Sequence, residues 1–214
     1  MLLPQHEAAR KEPFGYVCRA CSHCCPHKYI QVNPYEVAQL AYLLRLSTTE
    51  FRTVFTEQNG AILKRDENDT CVFLSDKGCA VHAARPLVCR LYPLGRRVAE
   101  DGSEEWVEAT PHPESKGETH AGGTIADWVA AQGAQPFMEA ADAYADWVRA
   151  AYNALGNGND GIGVAVVAGT LLDLDAAIAS HCAKAQITEP AELEQRRLLH
   201  LRILYQTLGG DHDG

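Results

Sequence analysis

Long apolar runs and positive charge are both scarce in this sequence. The longest apolar stretch, Ile162 to Leu172, is about half of what a spanning helix needs and is interrupted by Gly and Thr, so no membrane span is expected. Lys and Arg number 19 against 28 Asp and Glu, a formal net charge of −9. The cations are scattered rather than gathered into a stripe, which excludes a nucleic-acid surface built on phosphate contacts. Met1 to Glu7 has no basic start followed by an apolar stretch and a small-residue cleavage site, so a cytoplasmic location is expected. Several enzyme signatures are missing: a Gly-rich phosphate loop, a Gly-x-Ser-x-Gly elbow, a His-Glu-x2-His helix and a Cys-x3-Cys-x2-Cys run. Their absence removes the commonest nucleotide, hydrolase, zinc-protease and radical chemistries and leaves catalysis itself open.

What the chain has is cysteine. Eight occur among 214 residues, and with 46% hydrophobic content the chain can bury a core without disulfide staples. Thiols of a cytosolic protein stay reduced, so clustered cysteines there point to metal or redox chemistry. Seven lie between positions 18 and 89, and only Cys182 follows. Chemistry and scaffold are therefore divided along the sequence, into regions 1–97 and 98–214.

The first region opens with Cys18-Arg19-Ala20-Cys21-Ser22-His23-Cys24-Cys25-Pro26, too rich in cysteine and small polar residues for a packed helix. A helix should follow from the Asn33 cap, with Pro34 in its first turn, Glu36 closing a capping box, and Val37, Leu40, Ala41 and Leu44 on one face. Ser47 and Glu50 predict a second, with Phe51, Val54 and Phe55 as its apolar stripe. Short strands are expected at 61–63, at 71–74 and at 79–81 around the Asp76-Lys77-Gly78 turn. A hairpin should join Arg97-Val98-Ala99 to Trp106-Val107 through Asp101-Gly102. Beyond a polar loop at 111–123, helices dominate: one capped by Thr124 with Ile125, Trp128 and Val129; one from Pro136 towards Leu155 with Phe137, Ala141, Tyr144 and Val148; then, after a loop at 156–163, one opened by Thr170 and Asp173 with Leu171, Leu174, Ile178 and Cys182; and a last one capped by Thr188 with Leu193, Leu198, Leu201 and Leu204. The class is α+β: a small cysteine-rich metal-binding unit with short strands and two helices, then a hairpin and a mainly helical extension.

A Cys-x2-Cys step folds two sulfurs toward one centre, in zinc and iron–sulfur sites alike. Here it occurs twice in succession, through Cys18, Cys21 and Cys24. Adjacent Cys24 and Cys25 cannot easily reach one tetrahedral ion together, so they serve different atoms of a cluster, or only one of them ligates. Cys71, Cys79 and Cys89 supply the remaining thiolates. Arg85 and Arg90 flank Cys89, where their guanidinium groups are expected to assist a bound cofactor by hydrogen bonding to sulfur and offsetting thiolate charge. His23 and His27 flank the motif and are zinc donors in principle, but loop histidines are commonly just solvated. Cys182 shares a helical face with Leu171, Leu174 and Ile178 and reads as a small buried hydrophobe.

Taken together, Cys18-x2-Cys21-x2-Cys24-Cys25, Asn33-x2-Glu36, Cys71-Val72-Phe73-Leu74, Gly78-Cys79-Ala80-Val81-His82 and Arg85-Pro86-x2-Cys89-Arg90-x-Tyr92-Pro93 resemble the YkgJ-type CxxCxxCC cysteine-cluster family over about residues 14–95. That resemblance implies a zinc- or iron-chelating site, and the related flagellin lysine methylase is described as carrying an iron–sulfur cluster in this motif. It implies a site rather than an activity. His82 stands where the family more often has an aromatic residue, so no ligand role is carried onto it. Seven thiols exceed the four that one structural zinc requires, which favours an iron–sulfur cluster of the 4Fe-4S type serving electron transfer or redox modification of a protein client. The alternatives are a zinc-binding interaction module and a part in protein methylation, the latter without a Gly-rich loop after a strand to hold SAM.

Overall fold

Capping chemistry fixes where several helices begin. In the computed structural model, which describes residues 9–99, 101–120, 122–154 and 172–208, the chain order is β1 (Tyr16–Val17), α1 (Pro34–Leu44), α2 (Thr48–Phe55), β2 (Thr56–Glu57), β3 (Ile62–Leu63), β4 (Leu74–Ser75), β5 (Gly78–Cys79), α3 (Leu87–Leu91), β6 (Leu94–Val98), β7 (Glu104–Glu108), β8 (Glu118–Thr119), α4 (Ile125–Ala131), α5 (Gln135–Ala154), α6 (Leu174–Ala185) and α7 (Leu193–Gln206). Asn33, Ser47 and Thr124 each accept a bond from the backbone of the third helical residue, and Glu36, Glu50 and Asp127 return it, so all three expected caps form. The fold is α+β, with helices and, among the described residues, four separate antiparallel strand pairs. Among the described residues no helix is long and apolar enough to cross a membrane. The expected apolar run at 162–172 lies, but for Leu172, outside the described residues, as do Met1 to Glu7, the 156–163 loop, Thr170, Leu171 and Leu155.

The chain forms two compact units, each discontinuous in sequence: Met1–Ile30 with Arg65–Met138, and Gln31–Lys64 with Glu139–Gly214. This differs from a division at residue 97, which would cut strand β6. It also groups α1 and α2 with the later helices rather than with the cysteines. The first unit holds all seven clustered cysteines. Its core gathers Phe14, Tyr16, Leu91, Leu94, Ile125, Trp128, Val129, Ala134 and Met138. Trp128 is the centre of it: Phe14 and Tyr16 meet its ring edge to face at 5.8 and 5.6 Å, and its indole N–H donates to the Leu91 carbonyl at 3.0 Å. The β6–β7 hairpin runs from Leu94 opposite Glu108 to Val98 opposite Glu104, starting three residues earlier than the run at 97–99 suggests. Its buried Glu104 is gripped by Arg10 and Arg96. β8 pairs with β1 and so ties the polar 111–123 loop to the segment just before Cys18.

In the second unit α6 packs against α7, α1 and α2. Leu174, Ile178 and Cys182 pack with Ala38, so Cys182 is a core residue there. Thr48 and Asp173 clamp the starts of α2 and α6, the buried Thr48 hydroxyl donating to Asp173 at 2.6 Å. Three expected details change. α7 begins after Glu192 rather than at Thr188, because Pro190 disfavours helical backbone at the residue before it. Val54 and Val148 are exposed. On α5 the buried position next to Val148 is Trp147, whose bulk takes the inward place one residue earlier.

Candidate metal centre

The motif loop is built from tight turns on residues that do not favour them. Ala20, Ser22 and His27 have φ of 49°, 63° and 57°, in the left-handed region that costs an L-residue roughly 1–2 kcal/mol each. These turns reverse the chain between successive cysteines, and Cys25 N–H closes one by donating to the Ser22 carbonyl at 3.0 Å. The loop is then fastened to the 65–71 turn by a bridge between Pro26 and Thr70 and by His27 N–H on the Asp69 carbonyl. That turn delivers Cys71. Cys79 lies in β5, placed by the two-residue turn at Asp76-Lys77 and by Gly78, whose φ of +95° suits glycine alone. Cys89 sits in α3, a five-residue helix started by Pro86.

All eight cysteines carry free thiols. Six of the seven clustered thiols influence one another's ionisation. Cys25 feels Cys24, Cys79 and Cys89; Cys79 also raises Cys71, and Cys24 raises Cys21. These six form one electrostatically coupled group. Within it the Cys25 thiol donates to Cys24 sulfur, which pulls Cys24 well below the ordinary thiol range, against burial and with help from Lys28 and Arg85. The same bond, then burial, then the neighbouring sulfurs drive Cys25 the other way. Burial raises Cys71 and Cys79, partly offset by the backbone N–H of Phe73 and Val81 respectively. Cys21 is lowered although burial opposes it, because the backbone N–H groups of Lys116 and His23 point at its sulfur, that of Lys116 at 3.4 Å. Cys18 is exposed and stands at the rim.

The two arginines play different parts. Arg90 is buried and donates to three carbonyls, those of Arg85, Gln132 and Ala83 at 2.7–2.9 Å, while its guanidinium stacks on Phe137. Its bonds brace the helix that carries Cys89. Arg85 bonds the His82 carbonyl and Gln132, and its charge lowers Cys24 and Cys79. His82 has its pKa lowered by burial and by both arginines, which disfavours the charged ring. A cavity of about 450 Å³ opens beside Cys18, lined by His82, Arg85, His120, Trp128 and Gln132 among others.

Residues outside the motif also take part. Lys28, whose ammonium rests on the Tyr92 ring at 4.1 Å, is the cation nearest in effect to Cys24 after its thiol partner. The 112–116 segment reaches the loop through Lys116 and through His112 and Glu114, whose ligand atoms lie within 4.8 Å of one another and of His23. Nothing in the spacing of the polar loop marked them. His27 instead faces Asp69 at 3.2 Å.

The donor chemistry fits a thiophilic metal: the first unit gathers seven free thiols, two of them already tuned toward the thiolate that such a metal needs. The chain matches no curated protein and no solved structure. Residues 17–111, which run past Pro93 through the β6–β7 hairpin and include all seven clustered cysteines, match the CxxCxxCC family model, described as a zinc- or iron-chelating domain.

Proposed function

We propose that the first unit holds an iron–sulfur cluster of the 4Fe-4S type on cysteine thiolates and uses it for electron transfer or for redox modification of a protein client. The observation that carries this reading is the donor count. Seven free thiols in one unit exceed what one tetrahedral zinc can use, and adjacent Cys24 and Cys25 suit separate metal atoms better than one. Cys24, Cys25, Cys79 and Cys89 would hold the cluster, with Cys21 and Cys71 as alternative ligands and Cys18 toward the solvent side. Lys28 and Arg85 offset the negative charge that gathers on the thiolates, and Arg90 keeps the Cys89 helix in place. Exposed Cys18 and the cavity beside it give a client access to the edge of the centre.

The test is anaerobic purification with iron, acid-labile sulfide and zinc analysis, followed by EPR after reduction. A brown protein with iron and sulfide in equal amounts and a reduced-cluster signal supports the reading. Colourless protein with stoichiometric zinc and no sulfide would overturn it in favour of a zinc-dependent interaction module.

A further inference from the structure

His23, His112 and Glu114 bring two imidazoles and a carboxylate together from two separate loops. Their ligand atoms all lie within 4.8 Å of one another, and Glu114 Oε2 is 3.5 Å from His23 Nδ1. The two rings are nearly parallel, 12° apart, with centroids 5.8 Å apart, so the two imidazoles lie side by side. Donors around a tetrahedral zinc with bonds near 2.0–2.1 Å are separated by about 3.4 Å, so side-chain rotations of roughly 1 Å close the set.

The loop that carries two of the three is held from several sides. His112 N–H donates to the Tyr92 hydroxyl at 3.0 Å, Ser115 N–H to the His112 carbonyl at 2.8 Å, and Ser115 Oγ pairs with the Tyr16 hydroxyl at 3.2 Å. Lys116 N–H meets Cys21 sulfur, which anchors the loop to the one bearing His23. The three donors are therefore held near their positions before any ion arrives, which reduces the ordering cost of binding.

We infer that His23, His112 and Glu114 form a second metal site, separate in donor type from the thiolates, for a single divalent transition-metal ion such as zinc. Two imidazoles and a carboxylate are borderline-to-hard donors, in contrast to the soft thiolates, so the two centres can hold different ions. Three protein ligands leave a fourth position open, and the exposure of His112 and Glu114 puts that position in water. Glu114 N–H donates to His112 Nδ1 at 3.2 Å, and ligation through either ring nitrogen ends this bond: an ion at Nδ1 displaces it, and an ion at Nε2 sends the proton to Nδ1. Loss of that amide bond at constant pH is a signature of loading.

The experiment uses the full chain with its thiolate site loaded as purified, dialysed against a weak chelator and titrated anaerobically with Co²⁺. Wild-type protein should take up one further equivalent, with weak visible ligand-field bands, no added sulfur-to-cobalt charge-transfer absorption, and a shift of the Glu114 amide resonance. His112→Ala and Glu114→Gln alter exposed side chains and should keep the original metal content. Each should weaken the added equivalent by at least the roughly 10–100-fold that outer-shell partners alone command. Failure of wild type to bind the added equivalent, equal binding by His112→Ala, or a new sulfur-to-cobalt band would each overturn the inference, whichever metal the thiolates hold.

Discussion

Replacing Glu104 by glutamine should destabilise the first unit by about 3 kcal/mol at neutral pH. The carboxylate is fully buried as a side chain and accepts from both Arg10 and Arg96, at 2.7–2.8 Å, and from the Trp106 indole at 3.3 Å. Burial alone would raise its pKa, but the two guanidinium groups outweigh it and hold the group at about 2 against an ordinary 4.5. At about 1.4 kcal/mol per unit, that difference is a preference of about 3 kcal/mol for the charged form in the folded chain. An independent scale, the 3–5 kcal/mol typical of breaking a buried charge group by removing one partner, gives the same size. The sign follows from linkage: the folded value lies below the unfolded one, so the contribution is fully present above pH 4.5 and is lost as the pH falls toward about 2. Denaturant unfolding of wild type and Glu104→Gln at matched metal content should show a gap of about 3 kcal/mol at pH 7 that closes in acid. A variant within about 0.5 kcal/mol of wild type at pH 7, the range of a surface substitution, would refute the reasoning, as would a gap that does not change with pH.

Serine at Cys25, Cys79 or Cys89 should each remove most of the bound metal, whereas Cys182→Ala, in the core of the second unit, should keep it all and cost only about 1 kcal/mol of stability; metal analysis beside thermal melts separates the two classes. Tyr144→Phe should cost the second unit about 1–3 kcal/mol, because the tyrosine hydroxyl is bonded to Nδ1 of the fully buried His200 at 2.9 Å and its removal strips a buried ring nitrogen of that partner. Hydrogen exchange in α5 and α7 reads that loss directly, and unchanged protection there would show the bond to be energetically idle.

The parts of the fold that were legible in the sequence are those decided within one turn of chain. Asn33, Ser47 and Thr124 act on backbone groups three residues away, so their caps are set by local chemistry and appear where expected. The same holds for the hairpin turn at Asp101-Gly102, where Gly102 adopts a φ of 83°. What was illegible depends on partners distant in sequence. Helical periodicity alone could not choose between Trp147 and Val148 as the inward residue of α5, since both fit the same face within one position, and packing selects the larger. The grouping of α1 and α2 with helices more than a hundred residues later is of the same kind, as is the pairing of β1 with β8.

The site divides along the same line, and for the same reason. A run of Cys-x2-Cys steps constrains sulfur positions through the local backbone, so the loop announces itself; it needs only the left-handed turns at Ala20 and Ser22 to form. The coupling of Cys25 to Cys79 and Cys89 depends on distant segments of chain meeting, and no spacing encodes it. Arg85 and Arg90 show the limit of reasoning from adjacency. Both flank Cys89, yet the helix α3 turns one of them into carbonyl acceptors and a phenyl ring and leaves the other to act by its charge on Cys24 and Cys79. Two cations with equal claims in sequence therefore take unequal roles, because Arg90 lies in α3 while Arg85 precedes it, and each points where its own surroundings satisfy its donors. His112 and Glu114 carry the point further. Their loop reads as solvated polar chain until Tyr92, Tyr16 and Cys21 hold it against the motif, and only then does a pair of surface residues become a candidate ligand set.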